Sequence, residues 1–327
     1  MGNIIIGTGA GLPQTVVTNE DIEKKCRATG FDPAKAKGMS MSEWGRRVIG
    51  SDKRRMATNE SSADLLLTAA TEALDDAGID AKDINLIITS TATDDHEQPN
   101  LAHTLQARLG AENLSHAIGL NESCPGFIKA LHIADAMMTH YREYKNVLIG
   151  VGDRMSSIIG TDFIPLLTFG DAFAAVVLTR MDDGADGYGI ISSFGKSDGK
   201  NGPNLALPKG GTLQMNHKAV KGFAMNKLEE SARYVLTEAG LTTDDISYIA
   251  PHQAGRFVIK NSCERLNIKT DKKILTHFKE YANTSQASIP LLLHENKKRF
   301  KDKDIIVMTT CGGGLSWGGV VYRWYVK

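Results

Sequence analysis

Cys124 stands directly before Pro125, and the run FIKALHIADAMMTHY that follows spaces its apolar residues for a helix. Proline suits the first helical position, so the sequence expects Cys124 at an N-cap-like place. A thiol there faces the positive end of the helix and its free N–H groups, which lowers its pKa and makes it nucleophilic. The ordinary alternative is a small buried hydrophobe. His252, in Ile249-Ala250-Pro251-His252-Gln253-Ala254, falls at the carboxyl end of an expected strand, where α/β folds place ligand chemistry. Asn283 lies in Tyr281-Ala282-Asn283-Thr284-Ser285-Gln286. Cysteine, neutral histidine and asparagine together suit thioester chemistry: one nucleophile, and two hydrogen-bond donors for a developing enolate oxygen.

The elements that position these residues follow from an internal repeat. Residues 69–87 read AATEALDDAGIDAKDINLI and residues 231–249 read SARYVLTEAGLTTDDISYI, which aligns Ala77-Gly78 with Ala239-Gly240 and Asp83-Ile84 with Asp245-Ile246. Each copy predicts an amphipathic helix closed by glycine, an Asp-containing turn and an apolar strand. The repeat continues: LQARLG (105–110) matches CERLN (263–267), and NVLIGV (146–151) matches DIIVMT (304–309). Two similar halves follow, 1–180 carrying the cysteine and 181–327 carrying the histidine and asparagine. Each is expected to be a mixed, largely parallel sheet covered by helices, giving a layered αβαβα body. The Asn283 segment occupies the repeat position of the Cys124 segment, so the pseudo-twofold should bring them face to face. Gly7-Thr8-Gly9-Ala10-Gly11 is read as a strand and tight turn. A dinucleotide loop is rejected, because the glycines run into Pro13 and β-branched residues instead of opening a helix.

Composition sets the class. The 38 Lys plus Arg balance 38 Asp plus Glu, so no whole-protein field would attract nucleic acid or a membrane. Cys26, Cys124, Cys263 and Cys311 form no C-x-x-C pair, and the nine histidines include no H-E-x-x-H, so neither a disulfide framework nor a metal site is expected. The start Met-Gly-Asn-Ile-Ile-Ile-Gly lacks a signal peptide's basic region, and no 18-residue apolar stretch occurs, which predicts a cytoplasmic protein.

These segments, with Leu167-Thr168-Phe169-Gly170-Asp171-Ala172 and Cys311-Gly312-Gly313-Gly314-Leu315-Ser316-Trp317-Gly318, resemble the β-ketoacyl-[acyl-carrier-protein] synthase III family of the thiolase superfamily nearly end to end. The resemblance implies a thiolase fold and a homodimer that uses no cofactor. Cys124 would take an acyl group from coenzyme A or a carrier thioester, its N–H and that of Gly313 forming the oxyanion hole. His252 and Asn283 would hold the malonyl carbonyl of malonyl-[acyl-carrier-protein] during decarboxylative condensation.

The chain is a divergent member. Glu122 stands where the family has a small residue, and it either sits buried against the thiol or turns away into a salt bridge. Pro125 replaces a small residue and Cys311 an aromatic one. Trp44 of the coenzyme A clamp is kept, but Val48 and Ser157 replace its arginines, leaving Arg46, Arg47 and Arg154 as candidate substitutes. His252-Gln253-Ala254-Gly255-Arg256-Phe257 and the run Met215–Lys221 shift the residues that meet the carrier, with Arg256 and Phe257 as substrate-side candidates. Glu97, in the polar loop Thr93–Asn100, is either a solvated charge or the base of a non-standard acyl-joining reaction. A silent carrier-binding subunit is the remaining alternative, which the intact Cys124, His252 and Asn283 oppose.

Overall fold

The computed structural model describes residues 2–25, 29–181, 187–268 and 270–326, so Cys26 lies outside the described residues. Strand β1 (Gly2–Gly11) contains all three glycines of the opening motif. A Cβ on Gly7 or Gly9 would lie 2.1 Å from the carbonyl oxygen of Ala73 or Ala69 in helix α1 (Ser62–Ala77). The glycines therefore serve close strand-to-helix packing within the strand, and the expected tight turn falls beyond them.

The repeat is built as its residues dictate. Helix α1 starts in a Ser61/Asp64 capping box and ends at Gly78 with φ 69°; a second box, Asp80/Asp83, leads into the buried strand β2 (Leu86–Ser90). In the second half, helix α4 (His217–Glu238) is followed by Gly240 at φ 66°, the box Thr242/Asp245 and strand β7 (Tyr248–Pro251). Between them come α2 (Leu101–Leu109), β3 (His116–Leu120), α3 (Gly126–His140), β4 (Asn146–Asp153), β5 (Ala172–Met181) and β6 (Gly189–Ser197). Helices α5 (Arg256–Arg265) and α6 (Ser288–Asn296) and strands β8 (Ile305–Gly312) and β9 (Ser316–Arg323) complete the frame.

The first sheet runs β1-β5-β4-β2-β3 and the second β7-β8-β9-β6. Both are mixed, as expected, but with fewer parallel pairs than the sequence suggests. Only β2 with β3 and β4, and β7 with β8, pair parallel; β1/β5, β4/β5, β8/β9 and β9/β6 are antiparallel. Strands β8 and β9 are joined by the short loop Gly313–Leu315, a connection that permits only antiparallel pairing. Opposite β3 the second half offers Ile274, which makes a single bridge to Ile249.

Helices α1 and α2 cover the outer face of the first sheet and α4 that of the second, with α5 packed on α4. Between the sheets lie α3, touching β2, β4, β6 and β9, and α6, touching β1, β5 and β7. The body is thus α/β/α/β/α, with one apolar core running from Ile88 on β2 and Ile149 on β4 through Phe127 and Leu131 to Met308 and Val320.

Candidate active site

The two central helices each present their N-terminal end to one cavity. Helix α3 begins at Gly126 with Pro125 as its cap, so Cys124 sits one residue further out than the sequence suggests. Thr310 Oγ1 donates to the Cys124 carbonyl at 3.1 Å, and Gly312 lies so close that a Cβ would be 2.7 Å from that of Cys124. Asn283 is held by the first half of the chain: its N–H donates to the Thr168 carbonyl at 2.8 Å, and its own carbonyl accepts from Gly170 at 3.0 Å. Its Oδ1 accepts the Ser285 N–H at 2.9 Å. His252 follows β7, its N–H tied to the Thr309 carbonyl at 2.7 Å. Cys124, His252 and Asn283 all line one largely apolar cavity of about 270 Å³, which Trp44, Phe169 and Leu315 also bound.

The electrostatics correct one expectation. Burial pushes the Cys124 thiol up to about 12, against the Ser285 hydroxyl, which holds it down; the Asp153 carboxylate adds to the rise. Cys124 therefore rests as a thiol, not as the helix-activated thiolate expected from its position, because the cavity removes water from sulfur and the helix begins two residues later. Burial also lowers His252 to about 3, with His277 adding to the effect and the Ser285 backbone opposing it. The ring is neutral at physiological pH and keeps one N–H to donate. Among the described residues its Nδ1 has no hydrogen-bond partner. Cys311 is buried beside the cavity, and burial raises its thiol strongly.

The Gly313 N–H, one of the two donors expected for an oxyanion hole, instead donates to Ser123 Oγ at 2.9 Å. Lacking a Cβ, which would lie 2.7 Å from that hydroxyl, Gly313 lets Ser123 come this close.

Of the recognition candidates, Trp44 lines the cavity and packs edge-on to Phe163, and Val48 lies beside it. Arg46 pairs with Glu20, and Arg47 with Glu43 at 3.1 Å, so neither reaches the cavity. Arg154 points away from Trp44, into a second, polar cleft of about 1100 Å³, where it binds Asp95 at 2.8 Å and Ser62 Oγ at 3.0 Å. Phe257 lies at the mouth with Lys221 Nζ 4.2 Å from its ring centre; Arg256 packs against Gly50 instead. Glu97 is 80% exposed and paired with Lys209 at 2.6 Å on the polar cleft, away from Cys124. It is the solvated charge of the two readings. Glu122 turns into a salt bridge with Lys129 at 2.6 Å. Among the described residues no group of three or more His, Cys, Asp or Glu could hold a metal ion, and no helix is long and apolar enough to cross a membrane.

Ser123, Asp153, Ser285 and Gln286 were given no role by sequence. Ser285 and Gln286 follow Asn283 by two and three residues, but nothing local signals that they reach across to Asp153.

A duplicated α/β body with its cavity between the N-terminal ends of the two central helices defines a thiolase-fold enzyme. Residues 118–199 match the family model described as 3-oxoacyl-[acyl-carrier-protein (ACP)] synthase III, and residues 236–324 match its C-terminal model. A β-ketoacyl-[acyl-carrier-protein] synthase III of Geobacillus kaustophilus is 37% identical, covering 99% of both chains. The crystal structure of the Aquifex aeolicus 3-oxoacyl-[acyl-carrier-protein] synthase III superposes with a TM-score of 0.90 at 34% identity, over 99% of this chain and 100% of that one. A priming β-ketosynthase of a polyketide biosynthetic pathway gives 0.87 at 26% identity, over 99% and 96%. The chain belongs to the β-ketoacyl-[acyl-carrier-protein] synthase III family of acyltransferases.

Proposed function

We propose that this enzyme transfers an acyl group from a thioester to Cys124 and then condenses it with a malonyl-[acyl-carrier-protein], releasing CO₂ and a β-ketoacyl thioester. The observation that carries the reading is the convergence of a thiol, a neutral buried histidine and an amide on one apolar cavity. Cys124 attacks the donor carbonyl, and the donor thiol leaves. His252 and Asn283 donate hydrogen bonds to the malonyl thioester oxygen, so that loss of CO₂ leaves a stabilised enolate. Its carbanion attacks the acyl-Cys124 carbonyl, the C–S bond to Cys124 breaks, and the released sulfur takes up a proton, leaving the β-ketoacyl thioester on the carrier and the free enzyme. No cofactor is invoked.

With Arg46, Arg47 and Arg154 engaged elsewhere, Trp44, Phe257 and Lys221 remain to meet the donor's pantetheine arm, which favours a carrier-bound or otherwise unusual donor over one gripped by its nucleotide. The oxyanion donors are Cys124 and Gly313 once Ser123 releases the latter. The chain divides into halves at residues 180/181, and two copies associate through the open edge of β3. The free thiols of Cys124, Cys263 and Cys311 suit the reducing cytoplasm.

Intact-mass analysis of protein incubated with acyl-CoA and acyl-carrier donors is expected to show one acyl adduct per chain, absent in Cys124→Ala. Unchanged labelling of that variant would overturn the nucleophile.

A further inference from the structure

Beside Cys124 lies a hydrogen-bonded path that the condensation scheme does not use. Cys124 Sγ is 3.6 Å from the Ser285 hydroxyl, and that hydroxyl faces the Asp153 carboxyl at the end of β4 closely enough to favour its charged form. Asp153 is 0% exposed. It accepts from the Ala92 N–H at 2.7 Å, from Thr91 Oγ1 at 3.2 Å, and from Gln286 Nε2 at 3.1 Å on both oxygens. Gln286 Nε2 also reaches the Glu122 carbonyl at 3.0 Å, so the loop carrying the nucleophile and the loop carrying Asn283 both close on this carboxyl.

Every group holding Asp153 is neutral. Of the charged and titratable side chains around it, Arg154 turns to Asp95 and Ser62, Lys129 to Glu122, and Asp171 to Ser156 and the Ala57 N–H. His252, Cys124 and Cys311 line the cavity, and of these Cys124 feels the Asp153 charge. Among the described residues no cation pairs with Asp153. Burial therefore raises it to about 6, which the Ser285, Ala92, Gln286 and Thr91 hydrogen bonds only partly offset, and near neutral pH it can gain or lose a proton. His252, lowered to about 3, cannot retain one.

We propose that Asp153, acting through the Ser285 hydroxyl, accepts the Cys124 proton as the sulfur attacks the donor thioester. The inference rests on Cys124 being the acylated residue. The Cys124 S–H proton moves to Ser285 Oγ while the Ser285 O–H proton moves to Asp153, and the sulfur electron pair forms the new C–S bond. Neutralising Asp153 removes the charge that opposes a thiolate. When the bond to the donor sulfur breaks, the proton returns through Ser285 to the departing thiolate, and Asp153 is again a carboxylate.

The test is the pH dependence of Cys124 acylation, followed by rapid quench and intact mass with acetyl- and octanoyl-CoA or the same acyl groups on carrier protein. Cys124 alkylation by iodoacetamide is measured in parallel. Wild type should show acylation rising through about pH 6 as Asp153 ionises. Asp153→Asn should lose that limb and acylate at least tenfold more slowly at pH 7, yet be alkylated no more slowly, since a lost negative charge eases thiolate formation. Ser285→Ala should lose the same limb; it carries the test alone if the first variant fails to fold by circular dichroism. Acylation by Asp153→Asn as fast as wild type, or a limb retained in both variants, overturns the relay while leaving Cys124 as nucleophile. Acylation that persists in Cys124→Ala overturns both.

Discussion

At the scale of single residues, burial decides what each titratable group can do. His252 titrates near 3 in the fold against an ordinary 6.5, so the unfolded chain binds the extra proton between those values. Its contribution to stability is present above pH 6.5 and is lost as pH falls towards 3, roughly 5 kcal/mol in all at about 1.4 kcal/mol per unit. Urea midpoints of His252→Gln should accordingly fall less than those of wild type on acidification. Asp153 works in the opposite sense: its value is raised, so its contribution is present at low pH and lost as pH rises through about 6. Ser123 makes a kinetic prediction. Ser123→Ala frees the Gly313 N–H for the developing oxyanion, and with a hydrogen bond worth about 1 kcal/mol the acylation rate should rise about fivefold. A slower variant in single-turnover assays would mean that the hydroxyl supports the loop instead.

At the scale of elements, the glycines of β1 set how closely α1 lies on the first sheet. Gly9→Ala would drive its Cβ into the Ala69 carbonyl at 2.1 Å, a helix backbone atom that cannot rotate away. The expected cost is about 1–3 kcal/mol in denaturant unfolding, with Gly78→Ala, whose neighbourhood is open, penalised only by its φ of 69°. The capping boxes at Ser61/Asp64, Asp80/Asp83 and Thr242/Asp245 fix where each repeat turns from helix to strand. That precision matters because it places His252 one residue past β7, on the cavity, and Asp153 at the last residue of β4, buried behind it.

At the scale of the whole molecule, the first sheet ends in an open edge. The His116 N–H points inward to the Asn85 carbonyl, so along β3 the alternate N–H groups of Ala117 and Gly119 point outward. Such an edge is a ready surface for pairing with a second copy. Sedimentation should give twice the chain mass of 35.4 kDa for wild type. Ala117→Pro, which removes an outward donor and leaves the inward ladder, should shift it towards monomer. A dimer unaffected by the substitution would place the interface elsewhere.

The sequence by itself determined the duplication, the strand and helix order, and the three residues that meet at the cavity, because capping residues, glycine stops and apolar periodicity act within a few residues of chain. Its parallel reading of the sheets was incomplete, since pairing direction depends on which strands a short loop joins. The state of the groups was decided only by tertiary structure. The helix end predicted an acidic thiol at Cys124, and enclosure made it a weak one. Gly313 was a free donor until Ser123 folded beneath it, and Asp153 was an unremarked end of a strand until Ser285 and Gln286 crossed from the other half. Desolvation and hydrogen bonds of this kind come from residues over a hundred positions apart, and no local pattern encodes them.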